Sequence, residues 1–478
     1  MDRLLIALLT ACAAAISLAA AGHALLHKRD SRAALGWMGL NLTLPFLGPF
    51  LYWCLGINRI SRRARQWSAS GRRISGTDIY PSAYGKDGPP PELPPTALHL
   101  RDLRILADKV VRSRLREGNS ITPLVDGESA YPAMLEAIGH ARESINLSSY
   151  IFDADGIGAE FVAGLKNAAK RGVEVRVIID ALGERYSCVP ARKALAGSGV
   201  RLERFLPLRH GAYINLRNHR KLLIIDGCEA FTGGMNIRKR HQARRHAPGI
   251  AIHDLHFRVQ GPVVGDLQRA FLEDWHFVTG ERLDNPRFFP PVPCAGEALA
   301  RCISDGPDRE FRKLEQIIMG ALACAGESVL IMTPYFVPDR PMAAALITTA
   351  LRGVDVRIVL PESNNLPFVH WAGRALLGEL LSNGVRVFYQ PPPFVHTKLF
   401  LVDDIWTLIG SANLDARSLR LNFELNLSIF DSAFAARIRR HFETSLAASR
   451  ELFPEELQQR SMPAKLRDNF ARLFTPYL

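Results

Sequence analysis

The sequence predicts an α/β protein of two homologous lobes packed on each other, preceded by an N-terminal transmembrane helical hairpin. Three observations carry that prediction. Two long apolar runs open the chain, apolar β-rich runs then alternate with helical patterns, and that whole alternation occurs twice. At 478 residues the chain is long enough for more than one core.

Residues 4–26 are apolar apart from Thr10, Ser17 and His23, and residues 33–57 form a second such run with Trp37, Tyr52 and Trp53 towards its ends. Both lengths suffice to cross a hydrocarbon core, and the aromatics suit its interfaces. Pro45 and Pro49 lie inside the second run and predict a bend, so a re-entrant segment is the alternative to a full crossing. For the first run the alternative is a cleaved signal peptide, because Arg3 precedes it and small residues cluster near its end. The hairpin occupies residues 1–66. A basic, Pro/Gly-rich stretch follows, including Gly88-Pro-Pro-Pro-Glu-Leu-Pro-Pro95, and residues 67–110 read as an extended linker.

Charge is concentrated at this end. Residues 1–73 hold ten Lys or Arg against two Asp, a net +8 of the chain's +13. A nucleic-acid enzyme would place its basic excess on the catalytic body. An excess bordering apolar segments suits anionic lipid headgroups instead, so the expected partner is an anionic membrane, with no nucleic acid. The arginines at 59, 62, 63 and 65 outweigh the bases of the turn at 27–32, which orients the catalytic body to the cytoplasm under the positive-inside rule. The seven cysteines are scattered without a Cys-x-x-Cys pair, so neither a disulfide framework nor a zinc site is expected.

The first lobe spans residues 111–299 and the second 300–478, with the Pro-rich segment 288–296 before the boundary. Landmarks recur in the same order: Glu143-Ser-Ile and Glu327-Ser-Val, Tyr150 and Tyr335, an Arg-Gly-Val turn at 171–173 and 352–354, Gly199-Val-Arg-Leu and Gly384-Val-Arg-Val. Each lobe reads as buried strand, helix, turn, strand, helix, strand, motif strand, which indicates duplicated lobes rather than an array of short repeats. Near the end, Phe434, Ile438, Phe442 and Leu446 fall at helical spacing and read as core. The tail mixes Arg460, Lys465, Arg467 and Arg472 with Leu and Phe, which suits either a membrane-surface helix or a lobe-capping one.

The motif strands carry the chemistry. His219-Arg-Lys221-Leu-Leu-Ile-Ile-Asp226 is matched by His396-Thr-Lys398-Leu-Phe-Leu-Val-Asp403, and each continues through six residues to a tail ending at Asn236 or Asn413. A single His-x-Lys would read as a solvated surface strand; two copies with one spacing, in otherwise apolar strands, do not. Residues i and i+2 of an extended strand share a face, so each histidine projects with its lysine. Two imidazoles, two ammonium groups and two carboxamides meeting between the lobes suit a phosphoryl centre. One imidazole attacks phosphorus, the other protonates the departing alkoxide, and lysines and amides stabilise the equatorial oxygens. No metal or other cofactor is needed. Asp226 and Asp403 belong to the motif, but their opposite strand parity suits pinning a strand end better than touching substrate.

On this paired motif the chain resembles the phospholipase D superfamily, and within it the bacterial cardiolipin synthases. The N-terminal hairpin, Tyr150-Ile-Phe-Asp-Ala-Asp155, Thr333-Pro-Tyr-Phe-Val-Pro338 and Gly410-Ser-Ala-Asn413 with Asn422-Phe-Glu424 extend the resemblance over almost the whole chain. It implies two phospholipase D-like lobes, an enzyme of the bacterial inner membrane and a metal-free ping-pong transfer through a phosphohistidine. Phosphatidylglycerol gives its phosphatidyl group to a histidine, glycerol leaves, and a second phosphatidylglycerol accepts the group to yield cardiolipin. A hydrolase, or a transfer to another alcohol, is the alternative. The resemblance assigns His219 as nucleophile and His396 as acid/base, although the near-symmetry of the motifs does not itself distinguish them. It places an imidazole-orienting acid after each motif, here Asp254 and Glu424. Ile252-His253-Asp254 departs from the family's Trp-Arg-Asp, Glu362-Ser-Asn-Asn365 lacks an Asp that often follows Ser, and 238–246 is an unusually basic loop. That loop reads equally as a clamp for an anionic lipid or as a solvated surface.

Overall fold

The computed structural model describes residues 2–28, 30–56, 90–207, 216–306 and 312–475. Residues 1–66 form one unit and 67–478 another.

In the N-terminal unit the first apolar run is a single helix, Asp2–His27, of 26 residues. At about 1.5 Å per residue it is about 39 Å long, enough to cross a bilayer. The second run does not make the expected second spanning helix. It breaks into Ser31–Thr43, Leu47–Leu51 and a π-helical turn at Tyr52–Gly56. Pro45 disfavours a helical conformation at Leu44, which sits at φ −121°, ψ 80°, and Phe46 turns through φ +68°. The 13-residue piece spans only about 20 Å, short of a hydrocarbon core. Among the described residues one helix is therefore long and apolar enough to span. The two limbs pack together, and the Tyr52 hydroxyl hydrogen-bonds His23 Nδ1 at 2.8 Å.

The second unit is built on one sheet that runs through both lobes. In the first lobe Ser144–Ser149, Glu174–Asp180 and Arg201–Phe205 run parallel, and the motif strand Leu222–Ile225 lies antiparallel to the first of them. Ser328–Met332, Asp355–Pro361, Arg386–Gln390 and Leu399–Val402 repeat this in the second. Both motif strands are buried throughout, as apolar runs covered on two faces should be. The lobes meet edge to edge rather than face to face. Arg116–Val125 pairs antiparallel with Ala298–Asp305, which removes two exposed sheet edges. Buried Asn119 fastens that seam, donating to the carbonyls of Arg116 (2.7 Å) and Ala298 (3.1 Å) while accepting from Val263 N–H (2.8 Å).

The linker expectation needs correction at its far end. Residues 57–89, the end of the expected hairpin and the first part (67–89) of the expected linker, lie outside the described residues. Pro95–Leu100 and Arg101–Val110 are helical, and they belong to the second lobe. Ala97, Leu100, Leu103 and Ala107 enter its core beside Leu314, Ile317 and Ile318. His99 Nε2 meets Asp403 at 2.9 Å. The Pro-rich composition just upstream obscured a short helix that buries one narrow apolar face. Leu103 is fully enclosed, so Leu103→Ala should destabilise the detergent-solubilised chain by about 2–5 kcal/mol in a denaturant titration. A change near zero would show that this helix is peripheral.

Candidate active site

Each His-x-Lys tripeptide is an extended bridge between two ladders. Arg217–Asn218 pairs in parallel with Asn422–Phe423 of the other lobe, and His219 N–H donates to the Phe423 carbonyl at 2.9 Å. Beyond Lys221 the chain enters its own lobe's sheet at Leu222. The second motif does the same: Phe394–Val395 pairs with Ile252–His253, and His396 N–H donates to the His253 carbonyl at 2.7 Å. The motif is thus stretched across the lobe junction twice, once from each side.

This crossing sets the acids. His219 Nδ1 lies 3.0 Å from Glu424 Oε2, and His396 Nδ1 lies 2.7 Å from Asp254 Oδ2. Each imidazole therefore takes its carboxylate from the opposite lobe. A carboxylate on Nδ1 holds the proton there and leaves Nε2 as the reactive nitrogen. Ser411 O also accepts from His219 Nδ1, at 3.1 Å. Both histidines line one cleft of about 280 Å³, with Asn236, Asn413, Tyr150 and Tyr335. The Tyr150 ring stands edge-on to His219 at 5.3 Å, and Tyr335 edge-on to His396 at 6.5 Å. These tyrosines were visible in the sequence only as repeat landmarks.

Electrostatics favour an anion. Burial pulls Lys221 down to about 7 and Lys398 down to about 8. Burial also lowers His219, against the pull of Glu424, and burial with Lys398 and Lys221 holds His396 well below its ordinary range. Burial raises Glu424, but His219 and Lys221 outweigh it and its carboxyl lies below the usual range; burial raises Asp254. With both acids ionised and both imidazoles neutral, two lysines balance two carboxylates. A phosphodiester entering this cluster adds one negative charge and so favours protonation of one imidazole.

The supporting residues differ between lobes. A Cβ on Gly234 would lie 2.6 Å from an oxygen of Asp254, so glycine there makes room for the acid. Ser411 occupies the matching position and donates to Glu424 Oε2 at 2.5 Å, while Asn422 donates to Oε1 at 3.0 Å. Asn236 Oδ1 accepts from Ile151 N–H at 3.1 Å, which leaves its NH₂ for a ligand; Asn413 Nδ2 donates to Ser418 at 3.2 Å. Asp226 and Asp403, grouped with the catalytic motif from sequence, are not brought to the cluster. Each sits at positive φ past its strand and accepts three backbone N–H bonds, Asp226 from residues 142–144 and Asp403 from 326–328.

Three further residues escaped the sequence reading. Arg220 turns away from its neighbours to pair with buried Asp274 at 2.6 Å and reach Ser304 of the other lobe at 2.7 Å, riveting the junction. His241 from the basic loop is buried in the cleft, its ring 6.1 Å from that of His396, and burial drives it down to about 3. It is a neutral imidazole with no hydrogen bond from its side chain among the described residues. Asp126 receives His253 Nδ1 at 2.8 Å and Asp254 N–H at 3.0 Å, so the departing Ile-His-Asp segment still fixes its acid. The rest of the loop divides. Arg238 enters the cleft paired to Asp153, whereas Lys239, Arg240, Arg244 and Arg245 are exposed. Asn365 accepts from the Tyr335 hydroxyl at 2.8 Å.

A two-lobed sheet with paired His-Lys motifs and crossed acids defines a phosphodiester-transfer enzyme with phospholipase D-like lobes. The family described as cardiolipin synthase, PLD-like domain, matches residues 134–275 and 318–446. The chain belongs to that family. It is 31% identical to a cardiolipin synthase of Oceanobacillus iheyensis over 457 residues, 95% of each chain. It is likewise 31% identical to the major cardiolipin synthase ClsA of Bacillus subtilis over 460 residues, again 95% of each. In fold it is similar to a phosphatidylserine synthase crystal structure from Haemophilus influenzae, with a TM-score of 0.62 at 15% identity, covering 79% of this chain and all of that one.

Two outcomes follow from the geometry. Glu424→Gln should lower kcat by about 10²- to 10⁴-fold with little loss of thermal stability. Asp226→Ala, which strands three amides, should do the reverse: a lower Tm with kcat per folded molecule within severalfold. Loss of kcat at unchanged Tm in Asp226→Ala would place that acid in the chemistry. The lysines must be cationic to hold the diester. Their lowered values predict that kcat/KM, which reports the free enzyme, falls as pH rises through about 7 to 8. The kcat profile should fall at higher pH, because a bound anion restores lysine protonation. A kcat/KM that rises over that range contradicts this electrostatic reading.

Proposed function

We propose that the chain is a membrane-anchored phosphatidyltransferase that joins two phosphatidylglycerol molecules into cardiolipin and releases glycerol. The observation that carries the mechanism is the pair of crossed His–carboxylate contacts opening on one cleft, with each histidine also touched by the lysine of its own motif. In the first step His219 Nε2 forms a bond to the donor's phosphorus as the bond from phosphorus to the glycerol oxygen breaks. His396, carrying the proton favoured by the diester's charge, gives it to the departing alkoxide. In the second step neutral His396 takes the proton from a hydroxyl of the second phosphatidylglycerol. That oxygen bonds to phosphorus and the P–N bond breaks. Lys221, Lys398 and the carboxamides hold the equatorial oxygens through both steps. The assignment of His219 as nucleophile rests on family resemblance, and its Nδ1 support from both Glu424 and the Ser411 carbonyl agrees with it.

For the anchor, the Asp2–His27 helix spans the bilayer and the broken second run enters and returns as a re-entrant limb. Its short pieces and internal prolines support that arrangement. The excess of Lys and Arg in residues 1–73 supports a cytoplasmic catalytic body under the positive-inside rule.

The test is the purified full chain in detergent with labelled phosphatidylglycerol and a chelator. Cardiolipin and glycerol should appear in equal amounts, whereas phosphatidic acid as main product would make the enzyme a hydrolase. His219→Ala and His396→Ala should each lower turnover by about 10³-fold or more. Activity near wild type in either would sink the two-histidine mechanism.

A further inference from the structure

The C-terminal helix Met462–Arg472 is inside out for a lobe-capping helix. Its inward face is polar and small. Asp468 is buried and receives Arg374 at 2.8 Å, Arg460 at 2.7 Å and Arg467 at 2.9 Å, while Ala471 packs with Val337 and Ala372. Its outward face is apolar. Met462, Leu466, Phe470 and Leu473 recur at one helical spacing and are 65%, 65%, 58% and 70% exposed. Phe474 extends the stripe, its ring edge-on to Phe368 and Phe470. Turning the stripe inward would strip three arginines of their shared carboxylate, so the orientation is fixed by charge.

We propose that this stripe is a bilayer-contact surface that seats the catalytic body on anionic lipid, an inference that rests on the phosphatidyl-transfer reading above. Charge supports that occupant over an apolar protein partner. Three guanidinium groups share one carboxylate, and Arg472 is exposed with no ion pair among the described residues, so the stripe is bordered by net positive charge. Position supports it too. The helix packs on Pro367–Leu381, and Leu366 and Val369 at the start of that helix line the catalytic cleft. A diacyl substrate keeps its chains in the membrane while its phosphate reaches the histidines. The surface next to the cleft must then be one that lipid can wet.

The experiment compares two substrates with the full chain: long-chain phosphatidylglycerol in bilayers with the reconstituted enzyme, and short-chain phosphatidylglycerol dispersed as monomers. In the double variant Leu466→Glu/Phe470→Glu the ratio of bilayer to dispersed turnover should fall about tenfold or more, since burying either side chain is worth at least that factor. Leu466→Trp/Phe470→Trp should keep the wild-type ratio. An unchanged ratio in the Glu variant overturns the proposal, whatever happens to absolute rates. So does conversion of a dimer to a monomer in light scattering, which would give the face to a second copy. Should the double variant not fold, Leu466→Gln is read by the same ratio. Wild-type turnover of the dispersed lipid tests the transfer reading separately, because that assay needs no membrane contact.

Discussion

Everything in the catalytic unit depends on the exchange of carboxylates between lobes. Glu424 belongs to the second lobe and serves His219; Asp254 belongs to the first and serves His396. Neither lobe alone holds an oriented imidazole. The pairs survive only if the lobes keep their relative position to within a fraction of a hydrogen-bond length, and several features enforce that. One sheet runs through both lobes, the two short parallel ladders tie each histidine's backbone to the other lobe's acid strand, and Arg220 spans the junction to Ser304. Asp226 and Asp403 serve the same end from a distance, clamping the far end of each motif strand to three amides.

The duplication is not a copy in chemical terms. Glu424 is held by a serine hydroxyl and an asparagine amide besides its histidine, and its carboxyl lies low; Asp254 has fewer donors, and burial raises it. His241 adds a neutral ring on the His396 side. Two chemically equivalent histidines would compete for the same role. Unequal surroundings let one serve as nucleophile while the other carries the proton.

Much of this was legible in the sequence. Repetition exposed the duplicated strand order, and the spacing of His, Lys and Asn exposed the cluster. The parity of Asp226 and Asp403 pointed to a clamping role that their amide contacts fit. What was hidden depends on topology or on weak local signals. Crossed acids cannot be read from a chain in which each acid follows the motif of its own lobe. His241 lay in a basic run whose members turn in different directions. The helix at 101–110 buries one narrow face behind a proline-rich stretch, and Pro45 with Pro49 outweighed the hydropathy of the second apolar run. Length and apolarity set an upper bound on a helix; breakers decide where it stops.

The central claim is that two motifs make one site, not two. The most direct measurement is the number of phosphatidyl groups bound covalently per chain. Enzyme mixed rapidly with phosphatidylglycerol and denatured at alkaline pH, where phosphohistidine survives, can be weighed intact and mapped by peptide mass spectrometry. One divided site predicts a limit of one phosphatidyl group per chain, on a single motif histidine. A limit of two, with both histidines modified in the same molecule, would mean that each lobe works alone and would contradict the account.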